Sequence, residues 1–283
     1  MDYPVFDNHV HLQRRGRYID ALKEFERKGG TGLMLIALPP SEMADFDTYF
    51  LRMYEEGASL RDGALSSTQL EVLLAVGPYP VTMVEMAARV GLEEAERRMM
   101  DAAELAGRFV SEGRADAIGE VGRPHFNVPG ELMEASNRIM EACMREARSA
   151  GCPVILHTED PTPESLLDLS SIASRAGIDR GRVIKHHCTD LIGPEENHGL
   201  FPSIMATRSI VFSAAGKGTR FMMETDYIDD PSNPGAFMGI GTVPRRTREL
   251  VERGVLTEDD VWKVNGDNPA RMYGREVLAG RGR

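Results

Sequence analysis

Three observations predict an α/β fold for this chain of 283 residues, namely a single (β/α)8 TIM barrel spanning residues 1–283. First, short apolar runs alternate with amphipathic stretches, as strands and helices do around a parallel sheet. Second, the length suits one barrel, which takes about 250 residues. Third, histidines and carboxylates end several apolar runs, and a closed barrel gathers the carboxyl ends of distant strands at one mouth.

Eight apolar runs are predicted strands because they are strand-sized and lack strict polar alternation, as expected for strands covered on both faces. In chain order they are residues 5–11, 33–38, 71–77, 117–121, 154–158, 183–188, 209–214 and 220–226. A doubly wound open sheet would show the same alternation of strands and helices. The closed barrel is preferred because histidines or carboxylates end strands one, four, five, six and eight, and only a closed barrel brings these ends together.

Amphipathic segments and helix-boundary residues place helices between these strands. Residues 19–28 and 130–150 each precede glycine, which commonly ends a helix, and residues 83–112 form one or two helices. Thr162 followed by Pro163 marks a helix start, residues 257–260 form a capping box, and a helix is expected near residues 244–253. Residues 229–241 are rich in proline and glycine and are a predicted loop.

The composition predicts a globular protein that does not associate with membranes. Hydrophobic residues make up 42% of the chain, and the formal net charge of −11 argues against a broad electrostatic contact with nucleic acid. The three cysteines have no CxxC spacing and fit reduced, buried thiols. The N-terminal segment has neither a basic region nor a long apolar run, so a cytoplasmic protein is expected. The oligomeric state is left open.

Histidines and carboxylates at strand ends predict a divalent metal site. His9 and His11 are two residues apart on the first predicted strand and therefore face the same side. Glu120 lies in an apolar strand, where an uncompensated carboxylate would be costly, and His157 and Asp226 end later strands. Imidazole and carboxylate are ligands that zinc and other divalent transition metals take. We therefore expect a metal-dependent hydrolase.

The adjacent histidines of the sixth predicted strand, His186 and His187, pose a choice of register. Only one of them should enter the site, because neighbouring strand residues face opposite sides. Periodicity leaves the choice open, since Ile184 shares a face with His186 and Lys185 shares one with His187.

Six ordered motifs give the chain a resemblance to a known family. The chain resembles the TatD-like metal-dependent hydrolases, a branch of the amidohydrolase superfamily of TIM barrels, over nearly its whole length. The motifs are D-x-H-x-H at residues 7–11, I-G-E-V-G at 118–122, P-V-I-x-H at 153–157, H-C at 187–188, E-T-D at 224–226 and the closing asparagine segment at 268–273. The H-C motif favours His187 over His186 as the ligand.

The resemblance implies a dinuclear centre with two divalent ions, which could be Zn, Mn or Mg. One ion would be held by His9, His11 and Asp226, the other by His157 and His187, with Glu120 bridging. Such a centre activates water, and Asp226 and Glu120 are the expected catalytic residues.

The substrate class follows less directly from these motifs. A phosphoester or nucleic-acid end fits the nuclease members of the family, and an ester bond is preferred to a C–N bond. The alternative is cleavage of an amide, a lactone or an aminoacyl ester. The expected partner is a small-molecule or nucleic-acid-end substrate. A second alternative is a non-catalytic barrel that binds metal.

Five residues near the predicted mouth are candidates for contact with the substrate. Tyr79 stands where the family commonly has a histidine, and Arg123 and His125 lie in a segment where it usually reads G-L-D-Y. Lys217 follows the seventh predicted strand, a region where barrels often bind phosphate, and Lys185 shares a face with His187. For Arg123, His125 and Lys217 an ordinary solvated loop residue is the alternative.

Overall fold

A computed structural model describes residues 3–40, 45–230, 232 and 238–274 and shows one parallel sheet surrounded by helices. The strands are β1 Phe6–His11, β2 Gly32–Ile36, β3 Glu71–Val76, β4 Ala117–Gly122, β5 Val154–His157, β6 Val183–Cys188, β7 Phe201–Met205, β8 Met222–Glu224 and β9 Tyr227–Ile228. The helices are α1 Ile19–Arg27, α2 Tyr49–Ser67, α3 Pro80–Val90, α4 Leu92–Ser111, α5 Gly130–Ala150, α6 Pro163–Ala176, α7 Arg208–Lys217, α8 Thr242–Glu252, α9 Glu258–Trp262 and α10 Asn268–Tyr273.

The sheet closes on itself through its last two strands. Strands β1 to β8 pair in chain order, and β9 pairs with β1. Only Thr225 and Asp226 separate β8 from β9, so these two segments are the halves of one interrupted eighth strand. Next to the interruption, Asp7 of β1 accepts hydrogen bonds from the backbone N–H and the hydroxyl of Thr225. The predicted (β/α)8 barrel is confirmed.

Alternation along the strands divides the core into two layers. Ile155 of β5 and Ile184 of β6 pack inside the barrel with Phe6 of β1. The intervening residues, such as Leu156 and Val183, pack outward against the helices. In β5 and β6 the inward-facing positions are apolar at Ile155 and Ile184 and become polar two residues later, at the carboxyl end of each strand.

The predicted seventh strand is wrong. Residues 209–214 belong to helix α7, and the seventh strand is Phe201–Met205. The helix buries Val211, Ala214 and Ala215, which are spaced three and four residues apart as on one helix face. The β-branched composition of residues 209–214 is therefore overridden by packing of this face.

The other elements largely follow the predictions. Residues 83–112 fall mainly in two helices, α3 and α4, and the Thr162 and Thr257 caps both form as capping boxes. Helix α2 was not predicted. It contains Gly57, where an added Cβ would lie 3.1 Å from the Cβ of Ala37, so close packing against the sheet accounts for this glycine. The predicted loop at residues 229–241 lies partly outside the described residues.

Within the part of the chain that the structure describes, no helix is both long and apolar enough to cross a membrane.

Candidate metal centre

Four imidazoles surround the carboxylate of Glu120 at the carboxyl ends of the strands. Its Oε1 lies 2.6 Å from Nδ1 of His157, 3.6 Å from Nε2 of His186 and 3.7 Å from Nε2 of His9. Its Oε2 lies 3.9 Å from Nε2 of His11. Residues of β1, β4, β5 and β6 thus meet at a single buried carboxylate, as the sequence predicted for the barrel mouth.

Asp226 completes the cluster from the interruption between β8 and β9. Its Oδ1 lies 3.4 Å from Nε2 of His11 and 3.9 Å from Nε2 of His9. Its backbone adopts φ 49°, a left-handed conformation that is unfavourable for a residue other than glycine and is often found at functional sites. The break in the eighth strand therefore places the carboxylate beside the two histidines of β1.

The spacing of these groups fits ligands around a common cation. Two sets of residues each place their ligand atoms within 4.8 Å of one another. The first set is His9, Glu120 and His186, and the second is His9, His11 and Asp226. Two ligands bound at 2.0–2.2 Å to one tetrahedral ion would be about 3.3–3.6 Å apart. His157 instead contacts Glu120 directly and belongs to neither set.

His9 gives a direct test of whether the site suits a cation. Its side chain is fully buried, and neither ring nitrogen has a hydrogen-bond partner among the described residues. A buried polar nitrogen without a partner costs about 1–3 kcal/mol. The Nε2 atom of His9 faces Glu120 and Asp226, so a divalent cation bound among these ligands would give it a partner. Imidazole and carboxylate donors fit such an ion.

The structure places His186, and not the predicted His187, in the cluster. Ile184 packs inside the barrel, and His186, two residues later on β6, shares its inward face. His187 is exposed, and its backbone turns to φ 55° at the strand end. The choice of His187 from the H-C motif is therefore not supported by this geometry.

Glu224 is a site residue that the sequence reasoning missed. It is fully buried, and its Oε1 lies 2.9 Å from Nδ1 of His186 and accepts the backbone N–H of His187 at 2.7 Å. Its Oε2 accepts a short hydrogen bond from the hydroxyl of Ser203. These contacts orient the His186 ring so that Nε2 faces Glu120. A glutamate inside the apolar run at residues 221–225 could have revealed it, by the reasoning applied to Glu120.

Burial and charge set the protonation states of the cluster. Burial lowers the pKa of His186 to about 4, so its ring is neutral near pH 7 and offers a lone pair. Burial opposes ionisation of Glu120, but the imidazoles of His157 and His9 outweigh it and hold the pKa of Glu120 well below its usual range. Burial also opposes the charged form of His9, yet Glu120 raises the pKa of His9 to about 9.

A cavity of about 480 Å³ opens in front of the cluster. Glu120, His157, His186 and Asp226 are among the residues that line it. Two predicted substrate contacts also line it. Tyr79 lies edge-on to His157, with ring centroids 5.1 Å apart, and Nδ1 of His125 lies 2.8 Å from Nε2 of His157.

Arg123, another predicted substrate contact, is buried beside the site and does not line this cavity. Its guanidinium donates to Asn137 at 2.7 Å, to Glu159 at 3.0 Å and to Asp168. Its backbone N–H donates to the carbonyl oxygen of His157 at 2.9 Å, a bond that joins the ends of β4 and β5. Arg123 is therefore neutralised within the protein and supports the end of β5.

The two lysines predicted to contact the substrate also lie away from the cavity. Lys185 is buried on the outward face of β6, and its Nζ donates to the backbone oxygen of His186 at 2.6 Å. Lys217 lies at the end of α7, because the segment before it is a helix and not the predicted strand. Its Nζ donates to the backbone oxygen of Asp190 at 2.7 Å and to Glu196 at 3.1 Å.

A closed parallel barrel with histidines and carboxylates gathered at one mouth defines the class of this protein as a TIM barrel with a candidate metal centre. The chain belongs to the TatD family, since the family described as "TatD related DNase" matches residues 6–274. It is also 36% identical over 279 residues to the "Uncharacterized protein MJ1127" of Methanocaldococcus jannaschii, a match that covers 97% of each chain.

Solved structures show the same fold at low sequence identity. The TatD homologue YJJV from Escherichia coli K12 matches with a TM-score of 0.69 and 17% identity, covering 97% of this chain and 100% of that one. The TatD-like protein AF1765 from Archaeoglobus fulgidus matches with a TM-score of 0.65 and 14% identity, covering 95% and 100%. A dihydroorotase from Saccharomyces cerevisiae matches with a TM-score of 0.63 and 12% identity, covering 99% and 87%.

Proposed function

We propose that this chain is a divalent-metal-dependent hydrolase of ester bonds that holds two ions at the mouth of its barrel. Membership of the TatD family supports hydrolysis. The observation that carries the metal dependence is His9, whose buried ring nitrogens lack a partner where the two sets of ligand atoms overlap. A non-catalytic barrel is disfavoured, because the cluster faces an open cavity large enough for a substrate.

The donors divide into two groups around Glu120. His9, His11 and Asp226, which form one of the two sets, would hold one ion. His186 of the other set would hold the second ion together with His157, which lies outside both sets but contacts the same oxygen of Glu120. Glu120 is suited to bridge because it lies between the two groups. Its Oε2 faces His11, and its Oε1 faces His157 and His186 and also lies 3.7 Å from Nε2 of His9. When bound, divalent ions supply Lewis acidity, which acidifies water and polarises the oxygen of the scissile bond.

Asp226 is proposed to move the proton. Burial opposes its ionisation, but hydrogen bonding to His11 and the charge of nearby imidazoles hold the pKa of Asp226 below its usual range. It is therefore ionised near neutral pH, and it lines the cavity where water and substrate would meet. Its carboxylate can accept the proton of the attacking water and pass it to the leaving oxygen.

Removal and return of metal test this proposal. The protein is treated with a chelator, reloaded with measured amounts of Mn²⁺ or Zn²⁺, and assayed with 4-nitrophenyl esters of phosphoric and carboxylic acids. We expect hydrolysis to be lost with the metal and to return as metal is bound. Hydrolysis that persists unchanged after the metal has been removed would contradict the proposal.

A matched pair of variants controls this experiment. Glu120→Gln should lose metal and activity together, because a neutral amide is a poor bridging ligand. Glu131→Gln makes the same chemical change at an exposed position of α5 and should keep both. Circular dichroism of both variants checks that the fold is intact.

A further inference from the structure

The geometry points to a small uncharged ester, either a carboxylic ester or a lactone, as the substrate of this site. This inference rests on the proposed ester hydrolysis and narrows it. It differs from the phosphoester or nucleic-acid end that the family resemblance favours, and it comes from the chemistry of the cavity walls.

The first observation is the absence of permanent cations from the cavity. Among the described residues that line it, none is lysine or arginine. Arg123, Lys185 and Lys217, the three basic residues predicted to contact the substrate, lie away from the cavity and bind protein oxygen atoms instead. Outside the described structure, residues 41–44, 231 and 233–237 contain no lysine or arginine in the sequence, whereas residues 275–283 contain three arginines.

A site for nucleic acid needs such cations. Most of the affinity of proteins for nucleic acid comes from lysine and arginine contacts to phosphates, and side chains that position the backbone are typically basic. The cavity instead carries the carboxylate of Asp160 at its exposed edge, besides Glu120 and Asp226 of the cluster. Two bound divalent ions would compensate the cluster, but Asp160 would still repel the flanking phosphates of a polynucleotide.

The second observation is that one wall of the cavity is apolar. Leu38 and Pro39 follow β2, Ile228 lies on β9, and all three are half-buried at the cavity surface beside the Tyr79 ring. Side chains of this kind gain free energy by covering an apolar group of a ligand.

The lining residues that follow β4 and β5 and end β6, across the barrel from β9 and β2, form a second wall that is polar and carries no permanent positive charge. His125, Thr158 and His187 line it together with Asp160. These side chains can donate and accept hydrogen bonds to the uncharged oxygen atoms of an ester. A volume of about 480 Å³ holds a small molecule, so the two walls together suit an ester with an apolar side and a polar side.

A pair of substrates that differ in one charge tests the inference. Hexanoic acid 4-nitrophenyl ester and the mono-4-nitrophenyl ester of adipic acid share the leaving group, the reacting carbonyl and the chain length, but the second carries a terminal carboxylate. With the metal-loaded full-length enzyme, we expect kcat/KM to be about tenfold higher for the neutral ester. This is the size of effect expected when the terminal carboxylate of the charged ester comes close to one like charge, that of Asp160. Equal values, or a preference for the charged ester, would overturn the inference.

Variants of the cavity walls link this preference to named residues. Asp160→Asn removes the negative charge of the polar wall and should reduce the preference about threefold. Ile228→Lys places a cation on the apolar wall and should reduce it further, whereas Ile228→Met, of similar length but uncharged, should leave the ratio between the two esters close to that of the wild type. An unchanged ratio in both Asp160→Asn and Ile228→Lys would contradict the role of the walls.

Nucleic-acid binding is measured separately and without turnover. Fluorescence anisotropy of a labelled single-stranded decanucleotide is recorded with the full chain, which includes Arg275, Arg281 and Arg283 outside the described residues. We expect no saturable binding at protein concentrations up to about 100 µM in 50 mM salt, where phosphate contacts would be strong. Saturable binding that weakens steeply with salt would overturn the inference.

The outcomes separate this inference from the proposed function. If bound metal supports hydrolysis of bis(4-nitrophenyl) phosphate but not of the hexanoate ester, the metal-dependent hydrolase stands and the neutral substrate is wrong. If the protein binds no metal and hydrolyses neither ester, the proposed function itself fails.

Discussion

Replacing each of the two adjacent histidines of β6 by alanine tests the geometry of the cluster in detail. His186→Ala removes a ring whose Nε2 lies 3.6 Å from Oε1 of Glu120 and whose Nδ1 lies 2.9 Å from Oε1 of Glu224. His187→Ala removes an exposed ring one residue later. The two changes are chemically identical, so any difference between them reports the direction in which each side chain points.

The expected loss of stability in His186→Ala can be worked from the contacts of Glu224. Burial keeps the His186 ring neutral near pH 7, and its Nδ1 lies 2.9 Å from Oε1 of Glu224 without forming an aligned hydrogen bond. The loss therefore combines a weak contact to a carboxylate with the removal of a buried ring, a change that typically costs about 0.5–3 kcal/mol. The backbone N–H of His187 and the hydroxyl of Ser203 remain as donors to the carboxylate. We therefore expect the free energy of unfolding of the metal-free protein to fall by about 2 kcal/mol.

The expected loss of metal affinity is larger. Removing a residue that only supports a ligand typically costs about 10–100-fold in affinity, so loss of a ligand itself should weaken one site by at least about 100-fold. His187→Ala should change the free energy of unfolding by no more than about 0.5 kcal/mol, as for an ordinary surface substitution. It should keep both ions, although KM can change because His187 lines the cavity.

Competition with a chromophoric chelator measures the metal affinities, and urea denaturation of the metal-free proteins measures the stabilities. Loss of metal in His187→Ala, with His186→Ala retaining it, would refute the assignment and restore the ligand predicted from the H-C motif.

Three further predictions concern single residues of the site. Asp226→Asn keeps one ligating oxygen but cannot accept a proton, so kcat should fall by about 10²–10⁴ with metal largely retained, and near-normal turnover at full metal occupancy would exclude it as the proton acceptor. Glu224→Ala should weaken the binding of one ion by about 10–100-fold. Glu224→Gln should have an intermediate effect, because its amide oxygen still accepts hydrogen bonds. Wild-type metal affinity in both variants, measured by chelator competition, would contradict this prediction. Arg123→Lys loses the planar fork to Asn137, Glu159 and Asp168 and should lower the free energy of unfolding by about 1–3 kcal/mol, whereas a large rise in KM without destabilisation would show a substrate contact instead.

The parts of the site that follow from strand periodicity could be predicted from the sequence. His9 and His11 lie on one strand with a spacing of two, and both reach the cluster. The same rule could have selected His186, because Ile155 and His157 on β5 repeat the spacing of Ile184 and His186 on β6. Two strands that end in the same pattern indicate which face is inward, and this comparison favours His186 where the H-C motif favours His187.

Other features depend on contacts between distant residues and could not be predicted from local pattern. The break of the eighth strand at Asp226 is stabilised by Asp7, which lies 218 residues away from Thr225 in the chain. The roles of Arg123 and Lys217 depend on which carboxylates the fold brings to them, and a basic residue near a strand end has the same local sequence whether it faces a substrate or an acidic side chain. The seventh strand was misplaced because residues 209–214 resemble a strand in composition.

The number of divalent ions bound per chain tests the central claim most directly. The protein is stripped with a chelator, saturated with Zn²⁺ or Mn²⁺, freed of unbound metal by gel filtration and analysed by inductively coupled plasma mass spectrometry. The proposed assignment, with one ion on His9, His11 and Asp226, a second on His157 and His186, and Glu120 between them, predicts about two equivalents of metal per chain. A reproducible value near zero under saturating metal would contradict the account.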